Sequence, residues 1–316
     1  MSGSAAARRS SNRPRRFSRP VAFGIRESLR LIVLGSGSTG NVTYVESGPA
    51  NAPTRLLIDA GLARAEIDGR LVRAGLPDDP HQRRARLAAV DALIVTHEHD
   101  DHLGSAATLG LPIWATGGTQ RAADLASETL YAGRAQRFGA ISVEPIALPH
   151  DAAETIGLVF DDGACRMGIL TDCGHDAEEV AAQFAGCDVL VLETNHDLSL
   201  LRRGPYPPSI KRRIASDQGH LSNAQAASIL AQIARRGRLP RVIIAAHLSV
   251  ANNDPRVARR ALVEVAGPEV EILVAGPLGA PAVTLSDGHL TVERPPAPPP
   301  PRGSQLSLFE PVPEPR

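Results

Sequence analysis

Apolar and polar positions divide the chain into short β-type runs, punctuated by turn residues and a few segments of helical spacing. Leu29-Arg30-Leu31-Ile32-Val33-Leu34 reads as a strand, and the alternating, β-branched Val42-Thr43-Tyr44-Val45-Glu46 as a second. Between them lies the Gly-rich connector Gly35-Ser36-Gly37-Ser38-Thr39-Gly40-Asn41. A third strand from Arg55 to Asp59 leads into a helix through about Ala74, and Ala92-Leu93-Ile94-Val95 forms a buried strand. A short strand at Ile113-Trp114 precedes a helix from about Thr119 to Tyr131. Further strands are expected at Val143 to Ala147, Gly157 to Phe160, Arg166 to Leu170, Val189 to Leu192 and Val242 to Ala246. Helices begin after Ser222 and after Asp254-Pro255, a cap followed by proline at the first helical position. Strand runs flanked by helices predict an α/β (α+β) fold of two sheets with helices outside, an αββα sandwich.

The connector contains a literal GxGxxG. A dinucleotide site would require a helix next, with a phosphate on its N-terminus. A strand follows instead, so a Gly-rich β-hairpin is the better reading. Chemistry concentrates further on, where the run ending at Val95 passes abruptly into Thr96-His97-Glu98-His99-Asp100-Asp101-His102. Imidazoles and carboxylates together are the ligand set for borderline divalent metals, zinc foremost, with manganese or iron as alternatives. In extended backbone His97 and His99 point to one side, and Asp101 and His102 lie where the chain turns. His150, Asp172 and His247 each follow an apolar strand, so all converge on one rim. His150 completes a triad with His97 and His99, Asp172 can lie between two ions, and His247 can close a second site with Asp101 and His102.

These residues resemble the metallo-β-lactamase fold of metallohydrolases, and within it the YycJ/WalJ-like subgroup, similar to the tRNase Z and RNase J nucleases. The likeness spans roughly Leu29 to Thr291. It implies a dinuclear-metal hydrolase of phosphodiesters, in which Asp101 orients the attacking oxygen. Asp59-Ala60-Gly61 is similar to a family signature whose Asp supports the metal-binding loop without binding metal. The β-lactamases proper carry a cysteine where this chain has Asp172. Gly219-His220-Leu221-Ser222-Asn223 resembles the tRNase Z segment whose His assists the scissile phosphate or the leaving oxygen. That role falls to His220, with His196 a second candidate. Ser38 and Asn41 border the centre and are candidates for substrate contact. The subgroup usually has Ser or Thr where this chain has Asp100, which adds a charge beside the cluster. Members of the subgroup are associated with 5′→3′ degradation of DNA.

Charge is zero overall but unevenly spread. Residues 1–30 carry eight arginines and one glutamate, and residues 294–316 three arginines and two glutamates, which leaves the body between them at −8. Such a body is no general binder of nucleic acid. Local contacts would come from Arg202, Arg203, Lys211, Arg212 and Arg213, a run containing the chain's only lysine. Three cysteines without CxxC spacing argue against a disulfide framework and fit a reducing cytoplasm. No apolar run approaches the ~20 residues needed to span a membrane.

Three segments result: a basic N-terminal arm (1–28), a hydrolase domain (29–293) and a Pro-rich tail (294–316). The arm reads as disordered or as an over-extended start, in preference to a targeting segment. In the tail, six prolines and one alanine at 295–301 form a stiff spacer. Beyond it Gln305-Leu306-Ser307-Leu308-Phe309 matches the pattern by which bacterial proteins bind the DNA polymerase sliding clamp. Alternatives to a DNA exonuclease in replication or repair are a hydrolase of small, cyclic phosphodiesters, a thioester hydrolase, and a clamp- or DNA-associated scaffold.

Overall fold

The computed structural model of the chain describes residues 28–72, 75–76 and 83–293. The basic arm and the tail segment Gln305–Phe309 lie outside the described residues. Strands β1 (Ser28–Gly35), β2 (Val42–Ser47) and β3 (Thr54–Ile58) form an antiparallel meander. Helices α1 (Arg64–Leu71) and α2 (Arg83–Ala88) precede β4 (Ala92–Ile94), which lies parallel to β3. Past the loop that holds α3 (Asp100–Leu103), β5 (Ile113–Thr116), α4 (Gly117–Ala123) and β6 (Glu128–Leu130) follow, the strands adding in parallel.

The second sheet begins with β7 (Gln136–Phe138), β8 (Ile141–Leu148), β9 (Thr155–Asp161) and β10 (Arg166–Leu170), each antiparallel to the next. After α5 (Glu178–Gln183), β11 (Val189–Glu193) joins β10 in parallel. Helices α6 (Leu198–Arg203), α7 (Pro208–Ile214) and α8 (Asn223–Arg236) lead to β12 (Val242–Ala246), and α9 (Pro255–Ala266) to β13 (Glu271–Val274), both again parallel. The chain then returns to the first sheet, where β14 (Ala282–Ser286) pairs with β1 and β15 (His289–Glu293) with β14. The sheet orders are β15-β14-β1-β2-β3-β4-β5-β6 and β13-β12-β11-β10-β9-β8-β7.

Side-chain alternation divides the core into three apolar layers. Leu29, Leu31, Val33, Ile169, Val191 and Ile244 meet between the sheets. Their neighbours face outward: Ile32 and Leu34 pack with Ile67 and Leu71 of α1, and Leu190, Leu192 and Ile243 with Ile229 and Ile233 of α8. Strands buried on both faces read as unbroken apolar runs, which is the pattern seen along the chain. The αββα sandwich is the observed architecture.

The helix expected from Thr119 to Tyr131 is shorter. Thr116 caps α4 by accepting the Thr119 N–H, and Asp124 closes it in a left-handed conformation at φ 49°. Residues 128–130 then form β6, and Gln120 Nε2 donates to Ser127 O and Thr129 Oγ1, tying the helix to the strand.

Strand direction places the chemistry. β8 and β10 both run antiparallel to β9, so β8 points the same way as β10, β11 and β12. Their C-terminal ends therefore share one edge of the second sheet, against the loops that follow β3 and β4. The loop after β4 is held through backbone by two others: the Asn41 N–H, from the β1–β2 connector, donates to Asp101 O at 2.8 Å, and the Ala60 N–H, after β3, to His102 O at 2.7 Å. Gly61 passes so closely that a Cβ on it would stand 1.8 Å from Asp101 O. A Gly61→Ala substitution is expected to push the Asp101–His102 turn away and to destabilise the fold by about 1–3 kcal/mol. Denaturant unfolding and the metal content of purified protein check this; unchanged metal content would contradict it.

Candidate metal centre

Three of the residues just past strand ends that are left-handed without being glycine lie at this edge: Asp59 at φ 61°, Asp172 at φ 60° and His247 at φ 56°. Such a conformation costs on the order of 1 kcal/mol for an L-residue and is retained where surrounding structure demands it. Here it reverses the chain after β3, β10 and β12, at the edge where the polar side chains gather.

Each imidazole of the cluster but one has a ring nitrogen held by an oxygen. His102 Nδ1 lies 2.8 Å from Asp59 Oδ2, His97 Nδ1 3.1 Å from Thr96 Oγ1, and His150 Nδ1 2.8 Å from Gly219 O. His247 Nδ1 lies 3.1 Å from Glu193 Oε1. Asp59 also accepts the Thr96 N–H at 2.8 Å, so it braces the loop from behind and joins none of the converging ligand groups. Orienting a ligand histidine through its second nitrogen is the usual support in metal sites.

The remaining nitrogens converge. His97 Nε2 and His150 Nε2 lie 3.1 and 3.3 Å from His99 Nδ1. Three imidazole nitrogens cannot satisfy one another as hydrogen-bond partners, whereas ligands about 2.0–2.1 Å from a tetrahedral ion stand roughly 3.4 Å apart. A second group forms at Asp101 Oδ2, with His247 Nε2 at 3.3 Å and His102 Nε2 at 3.7 Å. Asp172 lies between the two groups, Oδ2 being 3.2 Å from His102 Nε2 and Oδ1 3.9 Å from His150 Nε2. Its Oδ2 is buried and, beyond this contact with His102, has no well-aligned hydrogen bond. The seven residues therefore fit a divalent metal. Cys173 does not join them: its buried Sγ turns to His175 O, and burial pushes the thiol up to about 12.

Glu193 was not legible as a site residue. It ends β11, is fully buried, and accepts the Cys173 and Leu221 N–H groups on Oε2 at 2.9 and 3.1 Å. Its Oε1 meets both His220 Nδ1, at 2.8 Å, and His247 Nδ1. Burial alone would raise its pKa, but the His220 and His247 imidazoles outweigh that and hold it at about 2. The only available signal was an acid closing the apolar run Val189-Leu190-Val191-Leu192. His196, three residues on, is fully buried with both ring nitrogens unpartnered, and burial lowers it to about 4. It does not line the cavity over the centre.

That cavity holds about 410 Å³ and opens to solvent. It is lined by His99, Asp101, Asp172, His220 and His247 of the polar cluster, by Ser38, Asp100, Asn195 and Ser249, and by Tyr206, Ile210, Arg213 and Ile214 from the segment that carries α7. Asn41 lies beneath, buried, its Nδ2 at 3.2 Å from Asp101 O and 3.0 Å from His102 Nε2. Of the five cations in the 202–213 run, Arg213 alone lines the cavity, and it is paired with Asp151 (Nη2 to Oδ1, 3.0 Å). Arg202, Arg203, Lys211 and Arg212 lie on α6 and α7 outside it, with Lys211 Nζ on Arg202 O at 2.9 Å. No helix among the described residues is long and apolar enough to cross a membrane.

This geometry has relatives. Residues 54–247 match the beta-lactamase superfamily domain. The exodeoxyribonuclease YycJ of Bacillus anthracis is 33% identical over 249 residues, covering 75% of this chain and 89% of that protein. The exodeoxyribonuclease WalJ of Streptococcus pneumoniae is 31% identical over 246 residues, 73% of this chain and 86% of that one. Among solved structures, the metallo-beta-lactamase fold protein YhfI of Bacillus subtilis superposes with a TM-score of 0.62 at 15% identity, over 82% of this chain and all of that one. By its fold, its motif and the length of its match, the chain belongs to the beta-lactamase superfamily.

Proposed function

We propose that the chain is a dinuclear-metal phosphodiesterase, a 5′→3′ exonuclease that degrades DNA in the cytoplasm in replication or repair. The observation that carries this is the pair of ligand groups sharing Asp172 beneath an open cavity, beside a histidine braced by a buried carboxylate. The exodeoxyribonuclease names of its relatives support the same reading. Zinc is the expected metal, with manganese or iron as alternatives. Two bound ions would stabilise charge on a phosphoryl oxygen and lower the pKa of water.

The chain's own residues supply the rest. Asn41 and His247 fix the Asp101 carboxylate, which would orient the attacking oxygen. His220 has Nδ1 committed to Glu193, which leaves Nε2 for the cavity that it lines. With its ring oriented by Glu193, His220 is the proton donor to the departing oxygen. Asp172 in place of a thiolate supports oxygen-rich phosphate chemistry over that of the β-lactamases. A second reading, hydrolysis of a small cyclic phosphodiester, is favoured by the single cation at the cavity.

Metal loading involves protons. Burial alone would lower His247 and His102. The Asp172 carboxylate, joined by Asp101 and Glu193 at His247 and by Asp59 at His102, outweighs burial and raises His247 to about 10 and His102 well above its ordinary value. Without metal both are protonated at neutral pH, and each must lose a proton to become a ligand. Affinity therefore falls as pH falls. Metal titration by calorimetry at pH 7, in buffers of different ionisation enthalpy, is expected to report release of roughly two protons; heats independent of the buffer would contradict the assignment.

The activity is tested with metal-loaded protein on 5′-labelled duplex, single strand and RNA of one sequence. Release of mononucleotides from DNA, lost in His99→Ala, is expected. His220→Ala should lose about 10²–10⁴-fold on DNA and far less on an aryl phosphodiester whose leaving group needs no proton. Digestion of no polymer, with turnover of a cyclic diester, would replace this reading by the second.

For the tail, the proposed partner is the sliding clamp, with Leu306, Leu308 and Phe309 as anchors and Gln305 and Ser307 as polar contacts. A peptide of residues 303–311 should bind purified clamp and lose binding on Leu308→Ala with Phe309→Ala. Equal clamp binding by the intact chain and one ending at residue 294 would exclude this role.

A further inference from the structure

The proposed chemistry uses the polar cluster at the cavity and leaves one wall without a role. Tyr206, Ile210 and Ile214, from the segment that carries α7, line that wall. Ile210 is exposed, and so is Val250, next to Ser249; these are two of five large apolar side chains exposed among the described residues. Of these only Ile210 lines the cavity, where it joins the half-buried Tyr206 and the buried Ile214 in one apolar stretch; apolar surface at a cavity marks a contact for something. The remaining cation there is already neutralised by Asp151, so the wall does not bind by charge.

The wall is also fixed relative to the metal ligands. Gly219 O accepts from His150 Nδ1 at 2.8 Å, the Gly219 N–H donates to Ser216 O at 2.9 Å, and the His220 N–H donates to Ile214 O at 3.0 Å. Gly219 packs so tightly under α7 that a Cβ would lie 2.2 Å from Arg213 O. The C-terminal turn of α7 thus joins Ile214 to His220 through backbone, and to His150 through the ring nitrogen held on Gly219 O. Whatever rests on the wall is held at a set distance from the reacting centre.

We infer that the wall of Tyr206, Ile210 and Ile214 is the seat for the base of the nucleotide being removed. This rests on the nuclease reading above. With the scissile phosphate at the polar cluster, the base attached to it is the nearest flat apolar group of the substrate. An aromatic ring flanked by aliphatic side chains accepts any base by stacking, because every base has a π-face. Tyr206, Ile210 and Ile214 themselves carry no amide or carboxylate to read a base edge. The seat is therefore indifferent to which base it holds and sensitive to the presence of one. A nucleotide seated this way places its phosphodiester one residue from the end over the metals, which suits stepwise release of mononucleotides.

The test pairs a DNA end carrying its terminal base with an otherwise identical end whose terminal nucleotide is abasic. Wild-type protein should show kcat/KM about 10- to 100-fold lower on the abasic end. Tyr206→Ala should fall to a similar level on the normal end and show little further loss on the abasic one, whereas Tyr206→Phe should behave as wild type. Metal content and Tm of each variant are compared so that misfolding is not read as lost stacking. Equal discrimination by wild type and Tyr206→Ala, or none by wild type, would overturn the base seat while leaving the exonuclease intact. Cleavage of no nucleic acid by wild type would remove both.

Discussion

A carboxylate buried among imidazoles organises this molecule. Asp172 is almost fully buried, and charge of that kind is retained only when it is paired. Its partners come from four separate places: His102 after β4, His150 after β8, His247 after β12 and His220 before α8. Two further buried acids, Asp59 and Glu193, hold the far sides of those rings. Bringing this much polarity to one edge requires strands that end together. The shared direction of β8, β10, β11 and β12 provides it, and the left-handed turns at Asp59, Asp172 and His247 complete it at a local energetic cost.

The arrangement also explains how an acidic body handles an anionic substrate. The described protein shows no broad positive face at the cavity: Arg213 is paired, and its neighbours on α6 and α7 lie outside. Positive charge at the centre would come from bound metal, which offsets the local carboxylates. In the proposed base seat, contacts from Tyr206, Ile210 and Ile214 would then do what cationic side chains do elsewhere. Affinity in such a site depends less on salt than in one built from lysines and arginines.

The residues of the proposed ligand set were legible because they follow apolar strands, where a polar residue must be placed at a rim. The sandwich was legible for the same reason, since strands buried on both faces appear as unbroken apolar runs. Glu193 was hidden by its position: one acid after Leu192 looks like a strand emerging into solvent, and only the fold shows it buried between His220 and His247. The wall of Tyr206 and Ile210 was hidden by its neighbours, because the segment's many cations drew attention to charge. The helix expected over 119–131 failed where a left-handed Asp124 broke the pattern and three residues paired instead with β5. Pairing of β14 with β1 joins residues some 250 apart in sequence, which no local periodicity reports.

The central claim is that two ions share Asp172. Anomalous diffraction from crystals grown with zinc or manganese, recorded on either side of the metal edge, tests it most directly. Two peaks are predicted, one among His97, His99 and His150 and one among Asp101, His102 and His247, each within bonding distance of Asp172. A single peak, or two peaks with Asp172 bound to neither, would contradict the account.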